Sequence, residues 1–165
     1  MAEPQKPTLD IFVIEDTEKH QESARHQFKE HTLTVAANYE EGKKFLETAH
    51  DRYQVLLTDL MMPKGGMDTM GPEGMKYIFD LLPFGFPLAF LAAKKRIPYI
   101  GIVTDVNHHD HPLSAAIDPI SGAYFGGTTS ESLYRINDST LGIFHAPFTE
   151  DGRKDWQKVL EVLRK

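Results

Sequence analysis

"VLLTDLMMPKGGM", residues 55 to 67, is the stretch on which the fold turns. With the two residues before it, the run to Asp59 is nearly continuous in apolar and β-forming side chains, as expected of a parallel strand covered on both faces. The run ends in a carboxylate, and a Met-Pro-Lys-Gly-Gly turn follows directly. A buried strand that delivers an acid at its carboxyl end is the build of an open α/β sheet, where ligands bind outside those ends.

Outward from this strand the same unit recurs. "DIFVIED", residues 10 to 16, is a short apolar run ending in Glu15 and Asp16, and "EKHQESARHQFKE" after it has helical composition without breakers. "TLTVAA", residues 32 to 37, is rich in β-formers, and Asn38 with Glu41 offers an N-cap and capping-box partner for the helix "YEEGKKFLETAH". Gly71 and Pro72 predict the opening of a helix "PEGMKYIFDLL", residues 72 to 82. "IPYIGIVTD", residues 97 to 105, is a fourth strand and "LGIFHAPF", residues 141 to 148, a fifth. Trp156, Val159, Leu160 and Leu163 form one apolar face of a last helix. Strands alternating with helices predict an α/β domain with a parallel sheet between two helical layers.

Two regions enlarge this plan, about 83–96 and 106–140. The first holds a "PFGFP" break and a second helical piece, "LAFLAAKKR"; the apolar stretch here is expected to pack under an enlarged helical layer, the alternative being an exposed partner-binding patch. The tail of the second, "SLYRINDSTLGIF", reads as a hairpin turning at Asn137 and Asp138. Residues 1–8 read as a disordered lead and 9–165 as a single domain, which the 165-residue length suits.

Composition narrows the function. A net charge of -6 gives no electrostatic footprint for nucleic acid or an anionic membrane, so neither is an expected partner. The chain has no cysteine, which excludes disulfides, thiolate metal sites and a cysteine nucleophile, and fits a cytoplasmic location. The most apolar stretch, residues 78 to 93, is short for a membrane span and is broken by Pro83, Gly85 and Pro87.

The chemistry is carried by acids. Glu15, Asp16 and Asp59 converge at the ends of adjacent strands, where they either share a proton or bind a cation. Magnesium, a hard ion that takes one or two carboxylates and pairs with phosphate, is the natural occupant. A carboxylate beside such an ion can attack a phosphoryl group, and the Thr104 hydroxyl, ending the fourth strand, could hold a transferred oxygen.

"IFVIEDTE", "VLLTDLMMP", "GIVTD" and "FHAPFT" resemble the acidic pair, phosphoacceptor, hydroxyl and Lys-Pro motifs of the receiver domains of bacterial two-component response regulators. The resemblance runs from about Leu9 to Arg164, outside the two enlarged regions, and includes Gly74 as the glycine opening the third helix. It implies a flavodoxin-like three-layer sandwich with five parallel strands in the order 2-1-3-4-5, enlarged after strands three and four. It implies Asp59 as phosphoacceptor, Asp16 as direct magnesium ligand, Glu15 acting through water, the Met61 carbonyl as a further ligand, and Thr104 as the phosphoryl-facing hydroxyl. It also implies a histidine kinase or phosphotransfer protein as donor and a cis Ala146–Pro147 bond. Signal transduction by an atypical, stand-alone response regulator, with a protein as its output partner, is the expected function.

Three positions depart from the family. Ala146 stands where the family has its lysine, with His145 before it and on the opposite strand face. Asp105 adds a negative charge after Thr104, and Ile143 replaces the switching aromatic. A receiver that binds partners without phosphorylation is therefore one rival reading. The other is a metal-dependent enzyme built on the carboxylates and "NHHDHP": His108, His109 and His111, with His145 as a further ligand, suit a second metal such as zinc or iron. The same histidines could instead face phosphate as the cations that position 146 lacks, although a solvated turn is the preferred reading of this loop.

Overall fold

The computed structural model describes residues 2–66, 77, 79–106, 111–121 and 133–165. The chain runs β1 (Asp10–Ile14), α1 (Glu18–Gln27), β2 (Thr32–Ala36), α2 (Tyr39–Ala49), β3 (Val55–Thr58), α3 (Gly85–Lys94), β4 (Tyr99–Thr104), α4 (Pro112–Ile117), β5 (Leu133–Ile136), β6 (Ser139–His145) and α5 (Trp156–Leu163). The sheet order is β2-β1-β3-β4-β6-β5. Its first five members are parallel, β6 taking the place expected of strand five, and the sixth, β5, is an added antiparallel edge.

That edge strand is the hairpin anticipated at Asn137 and Asp138. Asn137 takes φ 53°, a left-handed turn conformation that asparagine tolerates, and its Nδ2 donates to the Ala93 carbonyl at 3.1 Å. The hairpin is thereby tied to the carboxyl end of α3. The five-strand expectation falls one short because both arms of the hairpin join the sheet.

Side-chain alternation along the central strands builds two cores. Phe12, Ile14, Leu56, Ile100 and Ile102 pack with α2 and α3 on one face, while Ile11, Val13, Val55, Leu57 and Val103 pack with α1 and α5 on the other. Trp156, Val159, Leu160 and Leu163 are all buried, as their helical spacing requires. Each central strand is sealed on both sides, so its carboxyl end is where polar chemistry can reach solvent.

Local signals explain most element boundaries. Asn38 Oδ1 accepts from the Glu41 N–H at 2.9 Å, and the Glu41 carboxylate reaches back to the Ala37 N–H at 2.8 Å, closing the start of α2. The "PFGFP" stretch, in contrast, does not interrupt a helix but begins one. Pro87 lies in the first turn of α3, where a backbone N–H has no helical acceptor and its absence costs nothing. The apolar segment expected to pack does so through Leu88, Ala89, Ala92 and Ala93, although Phe90 is exposed. Most of the helix expected over 72–82, with Gly71 and Gly74, lies outside the described residues. No helix among the described residues is long and apolar enough to cross a membrane.

Candidate functional site

Backbone bonds carry the sheet geometry past the strand ends and fix the acids. Glu15 N–H donates to the Ala36 carbonyl at 2.9 Å, and Asp59 N–H donates to the Ile14 carbonyl at 2.8 Å. Glu15, Asp16 and Asp59 each bring a carboxylate oxygen within 4.8 Å of the others, as their strand-end positions predict. Asp59 is buried, and its Oδ1 accepts from the Leu60 N–H at 2.8 Å.

The turn behind Asp59 is shaped by its neighbours. The carbonyls of Pro63 and Lys64 accept from the N–H groups of Tyr39 and Glu40 at 3.1 and 2.9 Å, so the turn satisfies the amino end of α2. Lys64 is itself buried and pairs with Glu40 at 2.8 Å. Gly65 has φ 74°, and a Cβ there would overlap the Asn38 side chain. Further on, a Cβ at Gly85 would overlap the Asp59 carbonyl oxygen and stand 2.8 Å from Leu60 Cα. Glycine is required at both places for the acid's loop to be gripped between α2 and α3.

The cation that Ala146 cannot supply comes from Lys154. Lys154 is completely buried, and its Nζ lies 2.6 Å from Glu15 Oε2, 3.1 Å from Asp59 Oδ1 and 2.9 Å from the Val103 carbonyl. All three ammonium hydrogens thus have acceptors. The loop after β6 folds back through Thr149 to Gly152, where Gly152 takes φ 78°, so that Lys154 bridges antiparallel to Phe148. Its signal is the Asp151-Gly152 turn in "TEDGRKDW", which returns the chain to the strand ends just before Asp155 caps α5. Ala146 packs instead among the side chains facing α1 and α5, and among the described residues no peptide bond is cis, so the expected cis Ala146–Pro147 bond is trans.

Charge balance favours a further cation. Burial pushes the Asp59 carboxyl up to about 7, with Lys154 opposing and Glu15 and Asp105 adding to the rise. Asp16 is raised by burial and by Asp59 beside it, and Glu15 by burial, which Lys154 counters. Lys154 stays charged because the attraction of Asp59, Glu15 and Asp105 outweighs the cost of burying it. One ammonium among three carboxylates leaves negative charge uncompensated, and an all-oxygen donor set suits a hard divalent ion. The residues therefore fit magnesium.

The other candidate residues fall in several places. Thr104 is fully buried at the end of β4, its Oγ accepting from the Val106 N–H at 3.1 Å. Met61, two residues beyond Asp59, is half-buried. Asp105 turns towards α1, its Oδ2 3.6 Å from His20 Nε2. His145 lies 2.8 Å from Asp118 Oδ1, and His111 caps α4, its Nδ1 accepting from the Leu113 N–H at 3.1 Å. His108 and His109 lie outside the described residues. Among the described residues, the three acids are the one group of potential metal-binding side chains brought together.

No family model and no curated protein matches the chain. Two solved structures do match in fold. One is a chain from the crystal structure of the P1 domain of CheA3 in complex with CheY6 from R. sphaeroides, with TM-score 0.52, 14% identity, and coverage of 96% of this chain and 98% of that one. The other is RcsB from Salmonella enterica serovar Typhimurium, bound to promoter rprA in the presence of phosphomimetic BeF3-, with TM-score 0.52, 17% identity, and coverage of 96% and 100%. At such identities the likeness establishes a receiver-like, flavodoxin-like fold.

Proposed function

We propose that this chain is a receiver-type signalling module that accepts a phosphoryl group on Asp59. The observation that carries the reading is the buried Lys154 ammonium, which touches both Glu15 and Asp59 at the strand ends beside Asp16. An acidic cluster alone could be structural, but an acid held on a central strand next to a buried cation is equipped for phosphoryl chemistry.

In the proposed reaction an Asp59 carboxylate oxygen attacks phosphorus, and the bond from phosphorus to the donor nitrogen or oxygen breaks. The donor keeps the electron pair and takes up a proton, leaving an acyl phosphate on Asp59. Lys154 moves from the carboxylate to a phosphoryl oxygen, and Thr104 donates its hydroxyl hydrogen to another. Asp16, Asp59 and the Met61 carbonyl would hold magnesium, with Glu15 acting through water. Bound there, the ion neutralises phosphoryl charge and lowers the raised pKa of the nucleophile.

The complex named for CheA3 and CheY6 supports a histidine kinase or phosphotransfer protein as the class of donor. The test is incubation with magnesium and acetyl phosphate, followed by intact-mass measurement of wild type and Asp59→Asn. A single phosphoryl adduct absent from the variant is expected. No adduct at saturating donor would overturn the reading in favour of a phosphorylation-independent interaction module.

A further inference from the structure

α1 buries a histidine where a leucine would fill the same space. His20 is 1% exposed, yet both of its ring nitrogens and its carbonyl face the segment around Lys154 or Asp105. Its Nδ1 accepts the backbone N–H of Lys154 at 3.1 Å, and its carbonyl accepts from Trp156 Nε1 at 2.9 Å. Because Nδ1 is an acceptor, the ring is neutral with its proton on Nε2, the nitrogen that faces Asp105 at 3.6 Å.

The same helix holds the other backbone group of Lys154. Ser23 Oγ and Gln27 Nε2 both donate to the Lys154 carbonyl, each at 3.0 Å. A long side chain finds three acceptors in a dry site only if its Cα is fixed, and both peptide groups that fix it are held by side chains of α1. Asp105, adverse when read as a charge beside a phosphoryl group, here faces the ring that carries the lysine.

Resting on the function proposed above, we infer that His20 is a positioning residue: through Nδ1 it sets where the Lys154 ammonium meets Glu15 and Asp59. The rival is a core histidine that only fills space. The two separate because asparagine places its amide near the Nδ1 position of histidine and glutamine places its amide near Nε2.

The experiment compares wild type, His20→Asn, His20→Gln and Lys154→Met. Trp156, the single tryptophan, has its ring centroid 5.2 Å from Lys154 Nζ, so its fluorescence reports the ammonium without any metal or donor. Expected are a wild-type spectrum for His20→Asn and one close to that of Lys154→Met for His20→Gln. Acetyl phosphate labelling with magnesium should fall roughly tenfold or more in His20→Gln and stay near wild type in His20→Asn, the scale seen when an outer partner of a charged site is lost. Equal behaviour of the two His20 variants in fluorescence, whether both like wild type or both altered, would overturn the inference. If wild type takes no label, the proposed function fails, and the fluorescence comparison still decides the role of His20.

Discussion

Lys154 and Asp59 stabilise and endanger each other. Each is buried, and an ion pair out of water is secure only while both partners remain. Lys154→Met should therefore destabilise the protein by about 3–5 kcal/mol near pH 8, because Glu15 and Asp59 are left buried without their cation. Urea denaturation checks this, and the loss should shrink near pH 5, where Asp59 is protonated. The pH dependence of the intact protein follows from the same residue. Asp59 rises from an ordinary 3.8 to about 7 on folding, so between those values the folded state holds a proton that the unfolded chain has released. This group's contribution to stability must fall as pH climbs through that window, with the penalty complete above it. Asp59→Asn removes the penalty while Glu15 still pairs Lys154, so its melting temperature should exceed wild type near pH 8, by less near pH 5, and converge with it only below the ordinary value of 3.8. Magnesium should raise the wild-type melting temperature near pH 8 and leave Asp59→Asn almost unmoved.

At the scale of elements, what was legible in the sequence was what local chemistry determines. β1, β3 and β4 announce themselves as apolar runs, Asn38 and Glu41 cap α2 where their spacing says, and Asn137-Asp138 turns its hairpin. Glu15, Asp16 and Asp59 are grouped by the sequence itself because strand ends in such a sheet share an edge. Pro87 misled because a proline reads as a break until its place in the first helical turn is known. Lys154 was hidden for a different reason: its partners lie just past β1 and β3 and on β4, and no spacing along the chain encodes a fold-back of the loop after β6. His20 was hidden for the same reason, since its meaning depends on Lys154. The element-level prediction concerns α3, whose start presses Gly85 on the backbone behind Asp59. Backbone cannot yield as a side chain can, so Gly85→Ala should cost about 2–3 kcal/mol in denaturant titrations and lower phosphoryl labelling of Asp59 as well. A fully stable variant with wild-type labelling would show that this contact does not hold the acid.

Taken as a whole molecule, the chain puts stability and chemistry in different places. Two apolar cores, one on each face of the sheet, fix the strands, and the carboxyl edge bears a cluster of acids that the folded state must pay to bury. A parallel sheet can carry that cost because its centre is sealed by helices on both sides. The edge is gripped beside Asp59 by the turn from Pro63 to Gly65, whose carbonyls hold the amino end of α2. The arrangement makes sense if the acids and Lys154 together receive a phosphoryl group. The direct test is intact-mass analysis after acetyl phosphate and magnesium, on wild type, Asp59→Asn and Lys154→Met. The account predicts one phosphoryl adduct on wild type, none on Asp59→Asn and a strongly reduced yield on Lys154→Met. An adduct that survives in Asp59→Asn, or a wild type that takes none at saturating donor, would contradict it.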